Sequence, residues 1–185
     1  MSVTTSLEKL GIDKAVNYLY KDPEKNIRTV VSWVEKVGKG RFDIQLKYIK
    51  RAIEDPNDPY YPYVRHIIND IDPEVVKKVA SNFFINANVI GTPIQDKLRA
   101  KYNCNIPWAI LLDPTSACNL KCVGCWAAEY GNKLNLSYDE THDIIRQGKQ
   151  LGVYMYIYTG GEPLVRKNDI IKICEKHNDC FFAAY

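Results

Sequence analysis

The chain has 185 residues, 46% of them hydrophobic, with 25 basic against 22 acidic residues and a net charge of +3. That is enough apolar material for one ordinary domain plus an appendage, and too little charge for the clustered basic face of a nucleic-acid binder. No stretch approaches the roughly 20 apolar residues of a membrane span and residues 1–10 lack a secretory pattern, so the expected setting is cytoplasmic and reducing, with neither nucleic acid nor a membrane span implied.

Residues 1–106 are predicted to form a helical amino-terminal region punctuated by proline and glycine. Ile27, Val30, Val31, Val34 and Val37 share one face at helical spacing, and Gly38 follows as a stop. A second stripe, Phe42, Leu46, Ile49 and Ile53, ends at Asp55-Pro56-Asn57-Asp58-Pro59, where two prolines remove backbone donors and disfavour helix at the residue before each. Asp72-Pro73-Glu74 starts another helix with a capping side chain, a ring-fixed φ and a first-turn acid; it carries Val75, Val76, Val79 and Phe83. Thr92-Pro93 opens one more, through Leu98.

From residue 107 the period changes. Residues 108–112 are a continuous apolar run, the pattern of a strand buried on both faces of a parallel sheet. Ser137 and Glu140 form a capping box, and Ile144, Ile145, Gly148 and Leu151 continue as the inner face of a helix that Gly152 ends. Residues 153–158 make a second strand, with Tyr154, Tyr156 and Tyr158 on one face, packed against a helix or a barrel interior. Ile170, Ile173, Cys174 and His177 stripe the next helix, and residues 180–185 begin a third strand. Strand-helix-strand-helix-strand order predicts an α/β fold: the first three strands of a partial (β/α) TIM-like barrel over residues 107–185, with functional residues at the carboxyl ends of the strands. Three strands are too few to close a barrel, so a truncated, longer protein is expected.

The six cysteines are Cys104, Cys118, Cys122, Cys125, Cys174 and Cys180, and three of them crowd into eight positions right after the first strand. In a reducing compartment such thiols are available as metal ligands instead of disulfides. The spacing C-x3-C-x2-C lets three thiolates hold three corners of a cubane cluster and leaves the fourth iron open to a substrate, unlike carriers saturated by four cysteines. After the second strand comes Gly160-Gly161-Glu162-Pro163. Its glycines permit close main-chain approach to a ligand, Glu162 offers a carboxylate to an ammonium group, and Pro163 stiffens the exit. Both loops leave the same end of adjacent strands.

This pairing of Cys118, Cys122 and Cys125 with Gly160-Gly161-Glu162-Pro163 one βα unit later resembles the radical S-adenosylmethionine superfamily, over roughly residues 108–185. The resemblance implies that the three cysteines ligate a [4Fe-4S] cluster, that its unique iron chelates the amino and carboxylate groups of S-adenosylmethionine, and that the Gly160–Pro163 loop binds the amino group. It implies reductive cleavage to a 5′-deoxyadenosyl radical that abstracts hydrogen from an unknown substrate, and an electron donor such as a ferredoxin or flavodoxin. The family often has an aromatic residue before the third cysteine; here Gly124 stands there, with Trp126 just after, and a backbone contact from Gly124 to the cofactor is what the resemblance leaves. The alternative is a non-catalytic iron-sulfur or zinc module, for instance a zinc knot with Cys104 as fourth ligand.

The other chemistry-bearing residues read as structural. Cys104, Cys174 and Cys180 are expected to be small buried hydrophobes, and His66, His142 and His177 to be scattered surface or packing residues with no partner at a useful spacing. Tyr158, nearest the rim, is a candidate pocket wall, and Glu129 and Tyr130 are expected in a solvated turn.

Overall fold

The computed structural model describes residues 3–38, 40, 42–125 and 130–185, so Trp126 and Glu129 lie outside the described residues. The chain folds into two compact units, residues 1–81 and 82–185.

The first unit consists of helices α1 (Val3–Leu19), α2 (Pro23–Gly38), α3 (Asp43–Glu54), α4 (Tyr61–Asp70) and α5 (Pro73–Ala80). Val16, Leu19, Val31, Leu46, Ala52 and Ile68 form its buried apolar set, one stripe from each of four helices. The valine stripe of α2 is buried only in part, because Val37, the residue before the helix end at Gly38, is 79% exposed. Polar groups pin the turns. The Tyr20 hydroxyl is shared between the carbonyls of Ile67 and Ile71, at 2.9 and 2.8 Å, and buried Asp58, in the proline turn, accepts from the Arg51 guanidinium and the Tyr60 amide. Asp72 caps α5 by accepting the Glu74 amide at 2.7 Å.

A π-helical segment (Ser81–Gly91), all but its first residue in the second unit, runs into α6 (Thr92–Tyr102), a longer helix than its sequence pattern indicates. Strands β1 (Ala109–Leu112), β2 (Met155–Tyr158) and β3 (Phe181–Ala184) follow, joined by α7 (Tyr138–Gln150) and, after a 3-10 turn (Pro163–Arg166), by α8 (Lys167–Lys176). The sheet is parallel throughout in the order β1-β2-β3, with Leu112 opposite Tyr158 and Tyr158 opposite Ala184. The capping box of α7 forms as its sequence predicts: the Ser137 hydroxyl accepts the Glu140 amide, and Glu140 accepts the Ser137 amide at 2.8 Å.

Leu112, Tyr156 and Tyr158 from one sheet face meet Ile145 of α7 and Ile173 of α8 in the core. The tyrosine face is therefore the helix face. Tyr156 spans it fully, its hydroxyl lying 3.1 Å from the carbonyls of Ile145 and Val153. The expected double-sided burial of β1 is not observed: Leu111, on the opposite face, is 65% exposed. Alternation sends successive side chains to opposite faces, and the core cluster lies on only one of them.

Side-chain amides from residues 82–95 satisfy the backbone at the amino ends of the strands. Asn82 donates to the carbonyls of Asn178 and Cys180, Asn86 to that of Asp179, and Gln95 to that of Gly152. Phe83 packs edge-on against Trp108 and Phe181 beside them. The carboxyl ends of the strands are thereby left to the loops. No helix of the described residues is long and apolar enough to cross a membrane.

Candidate functional site

The two loops singled out by the sequence are joined at the carboxyl end of the sheet. Beyond Leu112 the ladder between β1 and β2 continues: Thr159 N–H donates to the Leu112 carbonyl at 2.9 Å, Gly161 N–H to that of Thr115 at 3.0 Å, and Glu162 N–H to that of Ala117 at 2.7 Å. On the other side, residues 114–116 pair with a returning segment through Leu136 N–H to Pro114 O and Ser116 N–H to Leu134 O, at 3.0 and 2.8 Å. The stem that leads into Cys118 is thus held between the glycine loop and residues 134–136.

The glycines are required by this contact. A Cβ on Gly161 would lie 2.3 Å from the Ala117 carbonyl oxygen, inside any real contact, and Gly160 has φ +101 with a Cβ position 2.8 Å from Asp113 Cβ. Glu162 folds back as the cap of the 3-10 turn, accepting the Leu164 amide at 2.9 Å, while Pro163 is buried at its first position. One carboxylate oxygen of the residue read as an amine acceptor therefore has a local structural partner.

The cysteine loop is a looser structure. Cys118 and Cys122 are exposed, Cys125 is half-buried, and all three are free thiols. A turn closes the loop through Cys125 N–H to Cys122 O at 3.2 Å, and Leu120 N–H lies 3.4 Å from Cys118 Sγ. Gly124 has φ +76 and nothing within 4 Å of a would-be Cβ. Among the described residues, no three His, Cys, Asp or Glu side chains converge to hold a metal ion, so the loop does not gather its thiols as ligands in this conformation. Its donor set nonetheless fits an iron-sulfur cluster: three accessible thiols, a left-handed glycine that tightens the turn, and an amide already directed at one sulfur.

Several residues lie elsewhere than expected. Cys104 is exposed, not buried, because it follows the left-handed end of α6 at Asn103. Cys180 is buried as expected, whereas Cys174 is half-buried against the same core; burial pushes their thiols up to about 12 and about 11, which favours the protonated form. His66 pairs with Asp70 one helical turn on, at 2.8 Å. His142 Nδ1 and His177 Nε2 stand 2.8 Å apart between α7 and the end of α8, a contact across 35 residues that no local pattern announces. Tyr158 belongs to the helix-side core, 1% exposed and stacked on Phe182. It borders a cavity of about 10 Å³ with Pro114, Thr141, Arg166 and Ile173. Tyr130 is exposed, as a solvated turn residue should be.

The chain is similar to curated proteins named GTP 3′,8-cyclase. It is 39% identical to the one from Desulforamulus reducens over 80 residues, 40% of this chain and 24% of that protein. It is 43% identical to that of Geobacter sulfurreducens over 60 residues, 30% of this chain and 18% of that protein. For Alkaliphilus oremlandii the values are 40% over 65 residues, 33% of this chain and 20% of that protein. The match therefore spans about a quarter or less of the length of these relatives. No family model and no solved structure matches the chain. GTP 3′,8-cyclases are enzymes of the radical S-adenosylmethionine kind, and this chain resembles the amino-terminal part of such an enzyme.

Proposed function

We propose that the chain is the cofactor-binding part of a radical S-adenosylmethionine enzyme, with residues 107–185 forming the opening units of a partial TIM-like barrel in a cytoplasmic protein. Cys118, Cys122 and Cys125 would hold a [4Fe-4S] cluster. Gly160, Gly161, Glu162 and Pro163, with the backbone at Gly124, would bind S-adenosylmethionine. When bound, this pair supplies a one-electron cleavage of the sulfonium and a 5′-deoxyadenosyl radical for hydrogen abstraction. The chain's own contribution is placement. The stem at residues 114–117 keeps the cysteine loop beside the glycine loop, the glycines let main chain approach the ligand, and the left-handed Gly124 lets the turn that carries the accessible thiols close.

The observation that carries this reading is the pair of backbone hydrogen bonds from Gly161 and Glu162 to Thr115 and Ala117, which join the glycine loop to the root of the cysteine loop. The name of these relatives makes a guanine nucleotide the first substrate to try, and the superfamily resemblance makes a ferredoxin or flavodoxin the first reductant. The test is anaerobic reconstitution of the full-length protein with iron and sulfide. A cluster whose EPR signal shifts on adding S-adenosylmethionine is expected. Tight zinc binding with no such shift would transfer the site to a non-catalytic metal module.

A further inference from the structure

We propose that Thr115 is a positioning residue that couples the two loops, its hydroxyl holding the glycine loop in register so that S-adenosylmethionine binds; this rests on the reading just given. Thr115 is 1% exposed and stands three residues before Cys118. Its carbonyl accepts the Gly161 amide at 3.0 Å. Its hydroxyl donates to Asn135 Oδ1 at 2.6 Å and accepts the Ala117 amide at 3.0 Å. One buried side chain and its own carbonyl thus tie together the glycine loop, the returning segment and the stem of the cysteine loop.

The hydroxyl matters through Ala117. With the Ala117 amide anchored on Thr115, the Ala117 carbonyl is presented to the Glu162 amide at 2.7 Å. Removing the hydroxyl leaves a half-buried amide without its acceptor and frees the peptide groups on which Glu162 hangs. The cysteine turn depends on Thr115 far less, because its closing contacts, Cys125 to Cys122 and Leu120 to Cys118, lie wholly within residues 118–125. Loss of the hydroxyl should therefore weaken the amine-binding side more than cluster uptake. A purely structural strand residue would behave otherwise, since valine matches threonine in shape and in preference for extended backbone.

The test compares parent, Thr115→Val, Thr115→Ser and Asn135→Ala forms of the full-length protein after anaerobic reconstitution, with thermal melting as a check on folding. In Thr115→Val, iron content is expected to stay within about twofold of the parent while the dissociation constant for S-adenosylmethionine, read from the EPR shift of the reduced cluster, rises about tenfold. Thr115→Ser should restore parental affinity, and Asn135→Ala, at an exposed position, should raise the constant by a smaller factor. Parental affinity in Thr115→Val, or affinity in Thr115→Ser as weak as in Thr115→Val, overturns the assignment. If Thr115→Val fails to fold, parental affinity in Asn135→Ala overturns it, and weakened affinity there supports it. A parent that takes up no cluster, or whose signal ignores S-adenosylmethionine, overturns the underlying reading and this assignment with it.

Discussion

At the scale of single residues, the glycines of the site separate into two physical kinds. Gly161 is glycine because the Ala117 carbonyl occupies the place of a side chain, 2.3 Å from a Cβ; Gly124 has open space and only a left-handed φ. Gly161→Ala must push the glycine loop off the stem, so loss of S-adenosylmethionine binding is expected together with a lower melting temperature. Gly124→Ala should cost only the left-handed strain, about 1–2 kcal/mol, and leave iron uptake intact. Equal effects of the two substitutions on ligand binding would show that contact with the stem is not what Gly161 provides. Tyr158 offers a second test. Its hydroxyl is buried without a hydrogen-bond partner among the described residues, and burial holds it well above the ordinary tyrosine range. Tyr158→Phe should then leave stability unchanged or raise it by up to about 1 kcal/mol in a denaturant titration, because an unsatisfied buried hydroxyl costs free energy. A loss larger than that would mean the hydroxyl has found a partner, such as a water in the adjoining 10 Å³ cavity.

At the scale of elements, the burial of His177 at the end of α8, where it meets His142 of α7, should make stability depend on pH. His177 is 4% exposed, and its imidazole is held down to about 4, first by burial and then by Lys149, His142 and Lys176, with Asp179 opposing. The fold favours neutral His177, whereas in the unfolded chain it takes up a proton near 6.5. Stability from this residue is therefore complete above pH 6.5 and drains away as pH falls toward 4. His177 Nδ1 is buried with no hydrogen-bond partner among the described residues, so the second proton of an imidazolium would sit there without an acceptor, which agrees with the preference for the neutral ring. Denaturant midpoints should fall over this window in the parent and fall less steeply in His177→Gln; parallel slopes would assign the acid sensitivity to other groups. This pair also marks where sequence reading stops. Helix starts at Asp72 and Ser137, and the alternation of strands with helices, were legible because caps and apolar periods are local. The histidine pair, 35 residues apart, and the Asn82 and Asn86 bonds to Asn178, Asp179 and Cys180, more than 90 apart, depend on the finished fold. The two loops of the candidate site were legible as motifs, since cysteine spacing and paired glycines are local as well. The role of Thr115 was not, because nothing in Thr-Ser-Ala-Cys reports the three segments that meet there.

At the scale of the whole molecule, each unit carries its own apolar core: Val16, Leu19, Val31, Leu46, Ala52 and Ile68 in residues 1–81, and Leu112, Ile145, Val153, Tyr156, Tyr158, Ile173 and Cys180 in residues 82–185. Only the second unit contains the cysteine and glycine loops, so a cofactor bound there should stabilise that unit and leave the first untouched, by the mass-action rule that a ligand protects the folded form it binds. The cores allow the separation to be measured. Leu46 is 5% exposed and Ile145 fully buried, and truncating either to alanine should cost its own unit about 2–5 kcal/mol. Hydrogen exchange followed by mass spectrometry reads both units at once. Ile145→Ala should speed exchange in peptides from α7, α8 and the strands, and weaken iron-sulfur reconstitution as the sheet that supports both loops loosens. Leu46→Ala should speed exchange only in α1 through α5 and leave reconstitution unchanged. If Leu46→Ala impaired cluster uptake as much as Ile145→Ala, the site would draw on both units, and the assignment of cofactor binding to residues 82–185 alone would have to be abandoned.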